Sequence, residues 1–175
     1  MDAPEIVTER LILRAMRAED FADFAAVWAD EAVARQVGVP PRDRQAGWQA
    51  FLTNIGHWRV LGFGQWAVTD RATGAYLGQT GMFRACRGYG AAFDDWPEAG
   101  WVLGRGAQGR GLGAEAARAA HGWFDRVIGG PLVAVIGDDN PASLGLAAGL
   151  GYRAMAGAQT VAGAVLLRRE AANGR

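Results

Sequence analysis

The feature that most constrains this sequence is a glycine-dense loop, Gly104–Gly113, between a predicted strand and a predicted helix. The strand is Glu98–Leu103, and the helix runs from about Leu112 to Val127, where apolar residues recur on one face. Glycines let a ligand approach the backbone closely, and the first turn of a helix leaves N–H groups that favour an anion. Gln108–Gly113 therefore predicts a pyrophosphate site to which Arg110 adds charge. The alternative is a flexible loop in a glycine-rich chain.

The same loop formally contains the GxGxxG spacing of dinucleotide-binding proteins, in Gly104, Gly106 and Gly109. That motif belongs after the first strand of a βαβ unit, with an acidic residue about 20 residues further on. Here the next apolar strand is followed by Asp138 and Asp139, nearly 30 residues after the loop. The spacing therefore argues against a dinucleotide-binding fold.

Composition excludes several other classes of phosphate and cofactor chemistry. The chain of 175 residues has 18 basic residues, and all of them are arginine. Without lysine, the chain can have neither a Walker-type phosphate loop nor the lysine amine of a Schiff-base enzyme. A formal net charge of zero argues against general binding to nucleic acid or to a membrane surface.

Cysteine and histidine are too scarce to suggest a metal centre. Cys86 is the only cysteine, which excludes an internal disulfide and a cysteine-based zinc cluster. His57 and His121 lie far apart in the sequence and do not suggest a shared metal site. No apolar run approaches the length of a membrane span, and residues 1–5 lack a signal-peptide core. We therefore expect a cytoplasmic protein without a bound metal.

The order of predicted elements indicates one mixed α/β domain over residues 1–175, with a core at about 8–170. The nearly all-apolar segment Pro131–Ile136 is typical of a central, buried strand. The other predicted elements are a strand at Arg10–Arg14, a helix within Glu19–Trp28, a helix from about Pro40 to Val60, hairpin strands at Gly64–Asp70 and Ala75–Arg84, a loop at Ala85–Pro97, a short helix after Pro141, and two strands within Tyr152–Glu170.

Four segments of the chain resemble the GNAT superfamily of N-acetyltransferases. Within that superfamily they are most similar to the ribosomal-protein N-terminal acetyltransferases of the RimJ/RimL type. Gln-x-x-Gly-x-Gly at Gln108–Gly113 is similar to the acetyl-CoA pyrophosphate loop of that superfamily. The other segments are Thr8–Arg14, Glu98–Leu103, and Asn140–Ser143 followed by Gly151 and Tyr152.

The resemblance implies a particular α/β fold. It is a twisted mixed sheet of six or seven strands, flanked by about four helices, that splays open between its fourth and fifth strands. In this sequence those strands are Glu98–Leu103 and Leu132–Ile136. Acetyl-CoA would enter the gap between them, and the acceptor would approach from the opposite side.

The resemblance also implies which residues hold acetyl-CoA. Backbone N–H groups of Val102 or Leu103 would stabilise the oxyanion that forms at the thioester carbonyl. Asn140 is explained equally well as a helix N-cap followed by proline and as a contact to the pantetheine arm. The expected set is Trp101, Val102, Leu103, Gln108, Gly109, Arg110, Gly111, Leu112, Gly113, Asn140 and Ser143.

Acetyl transfer to an amine requires the uncharged amine, which is scarce at neutral pH when the amine pKa is near 10.4. By resemblance, Glu98 occupies the position of the acid that serves as the base, directly or through a water. The alternative is a solvated acid at the start of a strand. Ser143 is the expected proton donor to the CoA thiolate. Many relatives place a tyrosine at the position of Ala147, so this sequence departs from their pattern.

Three residues are expected on the acceptor side of the site. Trp96 lies beside the proposed base in the sequence, and Arg42 and Arg44 lie in a loop that would line the approach. The helical spacing places His121 opposite Leu112, on the solvent side, where it has no catalytic role.

Neither His57 nor Cys86 is expected to take part in the chemistry. His57 lies near the end of a helix, where its charge would be favourable. Cys86 has no evident histidine partner, so direct transfer in a ternary complex is expected rather than an acetyl-enzyme.

The sequence therefore predicts an acetyl-CoA-dependent N-acetyltransferase whose acceptor is a primary amine, on a protein N-terminus or on a small molecule. One alternative is an enzyme specific for an antibiotic or a polyamine. Asp94 and Asp95 are the only adjacent acids near Glu98, so a polyamine is disfavoured. The other alternative is a non-catalytic acyl-CoA-binding regulatory module. Monomer and homodimer both remain open, and the apolar segment Val161–Leu167 is the one that would support a dimer.

Overall fold

The computed structural model describes residues 3–155 and 161–172, and the strands in these ranges form one sheet. They are β1 (Ile6–Val7), β2 (Leu11–Arg14), β3 (Gln65–Asp70), β4 (Tyr76–Phe83), β5 (Glu98–Leu103), β6 (Leu132–Gly137), β7 (Arg153–Ala154) and β8 (Ala164–Arg169). Their order across the sheet is β1-β2-β3-β4-β5-β6-β8-β7. All neighbours are antiparallel except β5 and β6, which are parallel.

The helices lie along the connections between these strands. They are α1 (Phe21–Ala29), α2 (Glu31–Val37), α3 (Arg44–Leu61), α4 (Ala91–Asp94), α5 (Leu112–Val127) and α6 (Pro141–Gly149). Single 3-10 turns precede α1 at Ala18–Asp20 and α5 at Arg105–Ala107.

The predicted mixed α/β fold is confirmed. The described residues form eight strands and six helices, more than the six or seven strands and about four helices expected, and the additional elements are short. The two outermost strands, β1 and β7, have two residues each and are too short to show an alternating pattern. The helix α2 has only seven residues, and both of its ends are marked by capping residues. Asp30 accepts hydrogen bonds from the N–H groups of Ala32 and Val33, and Gly38 ends the helix with a φ of +76°.

The sheet opens between β5 and β6, as the resemblance predicted. Of the described residues, only Glu98 and Val133 form a register pair between these two strands. The Val133 N–H donates to the Pro97 carbonyl at 3.0 Å, at the start of both strands. By contrast, β5 pairs with β4 over its whole length, from Glu98 to Leu103. Beyond Glu98, the edge of β5 that faces β6 therefore has no partner strand in the described chain.

Two apolar clusters hold α1, α3 and α5 against the sheet. The larger one contains a group of three tryptophans, Trp58, Trp66 and Trp123, with ring centroids 4.5 to 5.4 Å apart and edge-to-face geometry. The smaller one joins α1 to α3 through Phe24 and Phe51, whose ring centroids are 5.2 Å apart. These clusters fix α1, α3 and α5, which in turn position the residues around the opening in the sheet.

His121 is buried, and its predicted place on the solvent side is wrong. Only 3% of the residue is exposed. Its Nδ1 lies 2.7 Å from the Ala117 carbonyl, which can only accept, so its Nε2 accepts from the Tyr152 hydroxyl at 2.9 Å. Burial lowers the pKa of His121 to about 4. His121 does lie on the face of α5 opposite Leu112, as the helical spacing predicted. That face is not exposed at this position, because Tyr152 packs against it.

The Tyr152–His121 hydrogen bond predicts a loss of stability in a tyrosine variant. We expect Tyr152→Phe to lower the free energy of unfolding by about 1–3 kcal/mol, because a buried ring nitrogen loses its donor. Tyr76→Phe is the matched control, since the buried Tyr76 hydroxyl has no partner within the described residues. Urea unfolding of both variants measures the difference. Equal losses would contradict the assigned hydrogen bond.

The apolar segment proposed for a dimer is mostly used within the fold. Leu166 and Leu167 are each 6% exposed, because β8 lies between β6 and β7 in the sheet. Val161 packs against the cluster around Phe93 and Val133. The interior position of β8 therefore explains this apolar run without a second subunit.

Candidate active site

A cleft of about 810 Å³ lies where β5 and β6 separate. Its walls come from β5, from the loop that precedes α5, from the first turn of α6, and from residues of α1, α2 and α3. The elements on either side of the opening thus contribute to one continuous cavity. It is large enough for an extended ligand that passes through the sheet.

The glycine loop forms one end of this cleft. Gly109 and Gly111 have φ values of +74° and +76°, which glycine adopts without strain. Gly111 is the N-cap of α5, and within the described chain no side chain accepts a hydrogen bond from the first turn of this helix. The N–H groups of that turn are therefore available to an anion, and the helix dipole favours a negative charge there.

Hydrogen bonds to the first turn of α5 hold the loop in place. The backbone N–H of Arg10 and its Nε donate to the two oxygens of Glu115, at 2.9 and 2.7 Å. Arg10 also donates from Nη1 to the carbonyl of Arg110 at 3.0 Å, and Thr8 donates to Glu115 at 2.7 Å. These contacts join the segment Thr8–Arg14 to the glycine loop and to the start of α5, although about 100 residues separate them in the sequence. They also leave the Glu115 charge neutralised beside the candidate anion site.

Gln108 connects this loop to β5 and to α2. Its Nε2 donates to the Leu103 carbonyl at 2.8 Å and to Gln36 Oε1 at 3.0 Å. On the opposite side of the opening, Asn140 Nδ2 donates to the Gln36 carbonyl at 2.8 Å. Gln36 therefore bridges the two sides of the cleft, a contact that the sequence gave no means of predicting.

Asn140 and Ser143 occupy the first turn of α6, as predicted. Asn140 caps the helix by accepting a hydrogen bond from the Ser143 N–H at 3.0 Å. Ser143 Oγ accepts from Trp101 Nε1 at 3.3 Å, which joins α6 to β5 across the opening. The Ser143 hydroxyl hydrogen remains free to be donated, because the contact to Trp101 uses only an oxygen lone pair.

Glu98 lies at the start of β5 and is 4% exposed, so the alternative of a solvated acid is wrong. Arg87 pairs with it through two hydrogen bonds, from Nε to Oε2 at 2.6 Å and from Nη2 to Oε1 at 2.8 Å. Burial raises the pKa of Glu98, and the Arg87 guanidinium acts in the opposite direction. Two of the roughly four lone-pair positions of the carboxylate have no hydrogen-bond partner among the described residues, and Glu98 is among the residues that line the cleft.

A polar wall that the sequence analysis missed faces this part of the cleft. It includes two buried glutamines, and Gln79 Oε1 accepts from Trp28 Nε1 and from Asn54 Nδ2, both at 3.3 Å. Gln65 Oε1 and His57 Nδ1 are buried and have no hydrogen-bond partner within the described residues. Burial lowers the pKa of His57, which disfavours the helix-end cation expected of it. Glutamines inside otherwise apolar strands were the available signal.

The residues expected on the acceptor side separate into two groups. Arg42 lines the cleft. Arg44 instead lines a separate hollow of about 500 Å³, beside Phe21. The Trp96 ring packs outside the described lining of the cleft, where the Arg168 guanidinium lies 5.0 Å from it. Cys86 is exposed and also lies outside that lining.

This geometry agrees with the comparison to known families. The sequence profile described as Acetyltransferase (GNAT) domain matches residues 10–153, which include the strand, the glycine loop and the first turn of α6. The chain belongs to the GNAT acetyltransferase family. The opening between β5 and β6 and the uncapped α5 both lie within the residues that this family profile matches.

Solved structures of GNAT proteins superpose over nearly the whole chain. A protein assigned to this family from Bordetella pertussis is 31% identical, with a TM-score of 0.83 over 95% of this chain and 99% of the other. An acetyltransferase from Agrobacterium tumefaciens is 28% identical, with a TM-score of 0.82 over 97% and 96%. A structure assigned as a ribosomal-protein-serine acetyltransferase from Vibrio cholerae is 21% identical, with a TM-score of 0.72 over 97% and 99%, and shows the shared fold.

Within the described ranges, no helix is both long and apolar enough to cross a bilayer.

Proposed function

We propose that this GNAT acetyltransferase moves the acetyl group of acetyl-CoA to a primary amine by direct attack in a ternary complex. The observation that carries the proposal is the arrangement of the cleft. An uncapped helix N-terminus lies at one end, the unpaired edge of β5 runs through it, and the buried carboxylate of Glu98 lines it.

The residues around the opening fit acetyl-CoA. We assign the pyrophosphate to the first turn of α5 and to Gln108–Gly113, where positive φ angles at Gly109 and Gly111 turn the backbone into the helix. Asn140, Ser143 and Trp101 line the path of the pantetheine arm. Acetyl-CoA supplies an acyl group that its thioester bond activates towards amines.

The edge of β5 supplies the oxyanion contact in this proposal. Backbone N–H groups of a strand point alternately to its two sides, and the β6 side is unpaired in the described chain beyond Glu98. An N–H group of Val102 or Leu103 on that side would be preorganised towards a developing negative charge. No side chain has to move to create the contact.

Glu98 is the proposed base. An α-amine of pKa near 8 is uncharged in only about one molecule in ten at pH 7, so a base that removes the extra proton increases the reactive fraction. The carboxylate keeps open lone pairs while Arg87 fixes its orientation, and it accepts the proton from the ammonium directly or through a water. Burial raises its pKa and so makes it a stronger base than a solvated glutamate.

Ser143 is the proposed proton donor to the leaving thiolate, and its removal is expected to have a small effect. A thiol of pKa near 8.5 leaves without much help, so Ser143→Ala should lower kcat by about three- to tenfold. Ser143→Thr retains the hydroxyl and should restore most of the rate. Release of free CoA under saturating substrates measures both variants. A Thr variant as slow as the Ala variant would remove Ser143 from the chemistry.

The acceptor is proposed to be an α-amine, of the kind found on a protein N-terminus or on a small molecule. The RimJ/RimL-like segments support the first of these sources. A polyamine would need carboxylates on the acceptor side, and neither Asp94 nor Asp95 is among the described residues that line the cleft. An amine panel with release of free CoA as the readout tests the proposal. Binding of acetyl-CoA without turnover on any amine would favour the regulatory-module alternative.

A further inference from the structure

Arg42 differs from the other partly buried arginines of the described chain. Four arginines are neither exposed nor fully buried: Arg14, Arg42, Arg168 and Arg169. Three of them pair with a carboxylate, namely Asp20, Glu170 and Asp125. Arg42 instead lies over the ring of Trp28, with its guanidinium carbon 3.8 Å from the ring centroid. No ion pair to Arg42 is present among the described residues.

The guanidinium of Arg42 is nevertheless desolvated and held in place. Its backbone N–H donates to the Trp28 carbonyl at 2.9 Å, and Pro40 and Pro41 precede it. Burial lowers the pKa of Arg42, and no carboxylate acts to raise it. An arginine remains charged under such conditions. A preorganised, half-buried cation without a counter-charge is costly unless something negative binds to it.

Arg42 lies next to the reacting region. Trp28, the ring beneath it, donates from Nε1 to Gln79. Gln79 in β4 pairs with Val102 in β5, one of the two residues proposed to contact the oxyanion. The stacked pair of Trp28 and Arg42 therefore belongs to the same cleft as Glu98, on the side contributed by α1.

The cleft as a whole carries an excess of positive charge, although the chain has a formal net charge of zero. The charged residues among its described lining are Arg42, Arg84, Arg87 and Glu98. Glu98 is paired with Arg87, and Arg84 donates to the Asp94 carbonyl, which carries no charge. A second cationic group on an amine acceptor would be repelled here, whereas an anionic group would be attracted.

We propose that Arg42 binds an anionic group of the acceptor, so that the preferred substrate is a primary amine that also carries a carboxylate. This inference rests on the proposed function and deepens it. The carboxylate accepts paired hydrogen bonds from the guanidinium while Trp28 supports the opposite face of that group. Two sources share this chemistry: a free amino acid, and a peptide N-terminus with an acidic side chain nearby.

The test pairs an arginine variant with acceptors that differ only in charge. The free acids are L-alanine and L-glutamine, each compared with its α-carboxamide, which carries no carboxylate. The peptides are Ala-Asp-Ala-amide and Ala-Asn-Ala-amide. We expect Arg42→Gln to raise KM for the carboxylate acceptors about tenfold or more. The KM for acetyl-CoA and for the matched amides should stay unchanged. Whichever series responds identifies the source of the carboxylate.

Arg44→Gln is the matched control, since Arg44 is a neighbouring exposed arginine over the ring of Phe21, outside the described lining of the cleft. It should leave all these constants unchanged. A rise in KM for acetyl-CoA in Arg42→Gln would assign the cation to the coenzyme phosphates and overturn the inference. Equal losses for acids and amides would overturn it as well, because they would indicate a structural role.

A binding measurement separates this inference from the proposed function. Calorimetric titration of N-acetyl-L-alanine, N-acetyl-L-glutamine and their α-carboxamides, in the presence of CoA, needs no turnover. Arg42-dependent preference for the carboxylates, with no amine acetylated, would support the anion site and refute the proposed transfer. Turnover of amines without any preference for carboxylates in binding or KM would refute the anion site alone.

Discussion

Glu98→Gln is expected to lower kcat by about 10²- to 10³-fold, which is within the usual contribution of a positioned general base. The amide retains the shape of the carboxylate but cannot accept a proton at neutral pH. The affinity for acetyl-CoA should stay unchanged, because the proposed pyrophosphate contacts lie at the other end of the cleft, in Gln108–Gly113. Release of free CoA with a saturating amine, and titration with acetyl-CoA, measure the two effects separately.

Glu98→Gln also breaks the ion pair with Arg87, so its control must remove an ion pair of the same kind elsewhere. Asp125 forms an equivalent two-bond pair with Arg169, at 2.8 and 2.6 Å, away from the described lining of the cleft. Asp125→Asn should therefore lower the free energy of unfolding much as Glu98→Gln does, but retain turnover. If both variants lose activity in proportion to stability, Glu98 only supports the fold. Undiminished turnover in Glu98→Gln would remove it from the mechanism altogether.

The second large effect is expected at the N-cap of α5. We expect Gly111→Val to weaken acetyl-CoA binding by about tenfold or more, which corresponds to about 1.4 kcal/mol. The added side chain lies where the backbone must approach the pyrophosphate. For the wild-type protein, acetyl-CoA at 100 times its dissociation constant should stabilise the fold by about 2.7 kcal/mol. Thermal unfolding with and without the ligand reports this gain, which the variant should largely lose at the same concentration.

A valine substitution at another glycine with the same backbone conformation serves as the control. It separates the loss of acetyl-CoA binding from the backbone strain that valine causes at a positive φ. Gly62 ends α3 with a φ of +75°, close to the +76° of Gly111, and an added Cβ there would meet nothing within 4 Å. Gly62→Val should therefore have a similar backbone penalty and bind acetyl-CoA normally. Gly111→Ala, with a smaller side chain, serves if the valine variant folds poorly. Unchanged affinity in both Gly111 variants would place the pyrophosphate elsewhere.

Elements with strong local signals could be predicted from the sequence. The bounds of β5 and α5 agree with their predictions, because a glycine loop separates an extended segment from a helix with regular apolar spacing. The apolar strand β6 and the cap formed by Asn140 before proline were equally clear. Such signals depend on residues close together in the chain, so their energetics are visible without the fold.

The contacts of the candidate site were mostly invisible in the sequence. Arg87 precedes Glu98 by eleven residues, in a segment predicted only as a loop, yet it binds both carboxylate oxygens. Gln36 and Gln108 meet across 72 residues of chain. The ring of Trp96 lies outside the described lining of the cleft for a related reason, since proximity to Glu98 in sequence does not place a ring in the same cavity.

The sequence by itself determined the local features: a glycine loop without lysine before a helix, a carboxylate at the start of the strand that follows the aromatic loop, and an α/β order of elements. These follow from backbone freedom at glycine, from side-chain spacing and from residue types, all of which are local properties. Only the tertiary structure decided which groups are buried and which charges are paired. Burial and pairing depend on the energetic balance between distant segments, so the buried His121, the paired Glu98 and the unpaired Arg42 emerged only when those segments packed together.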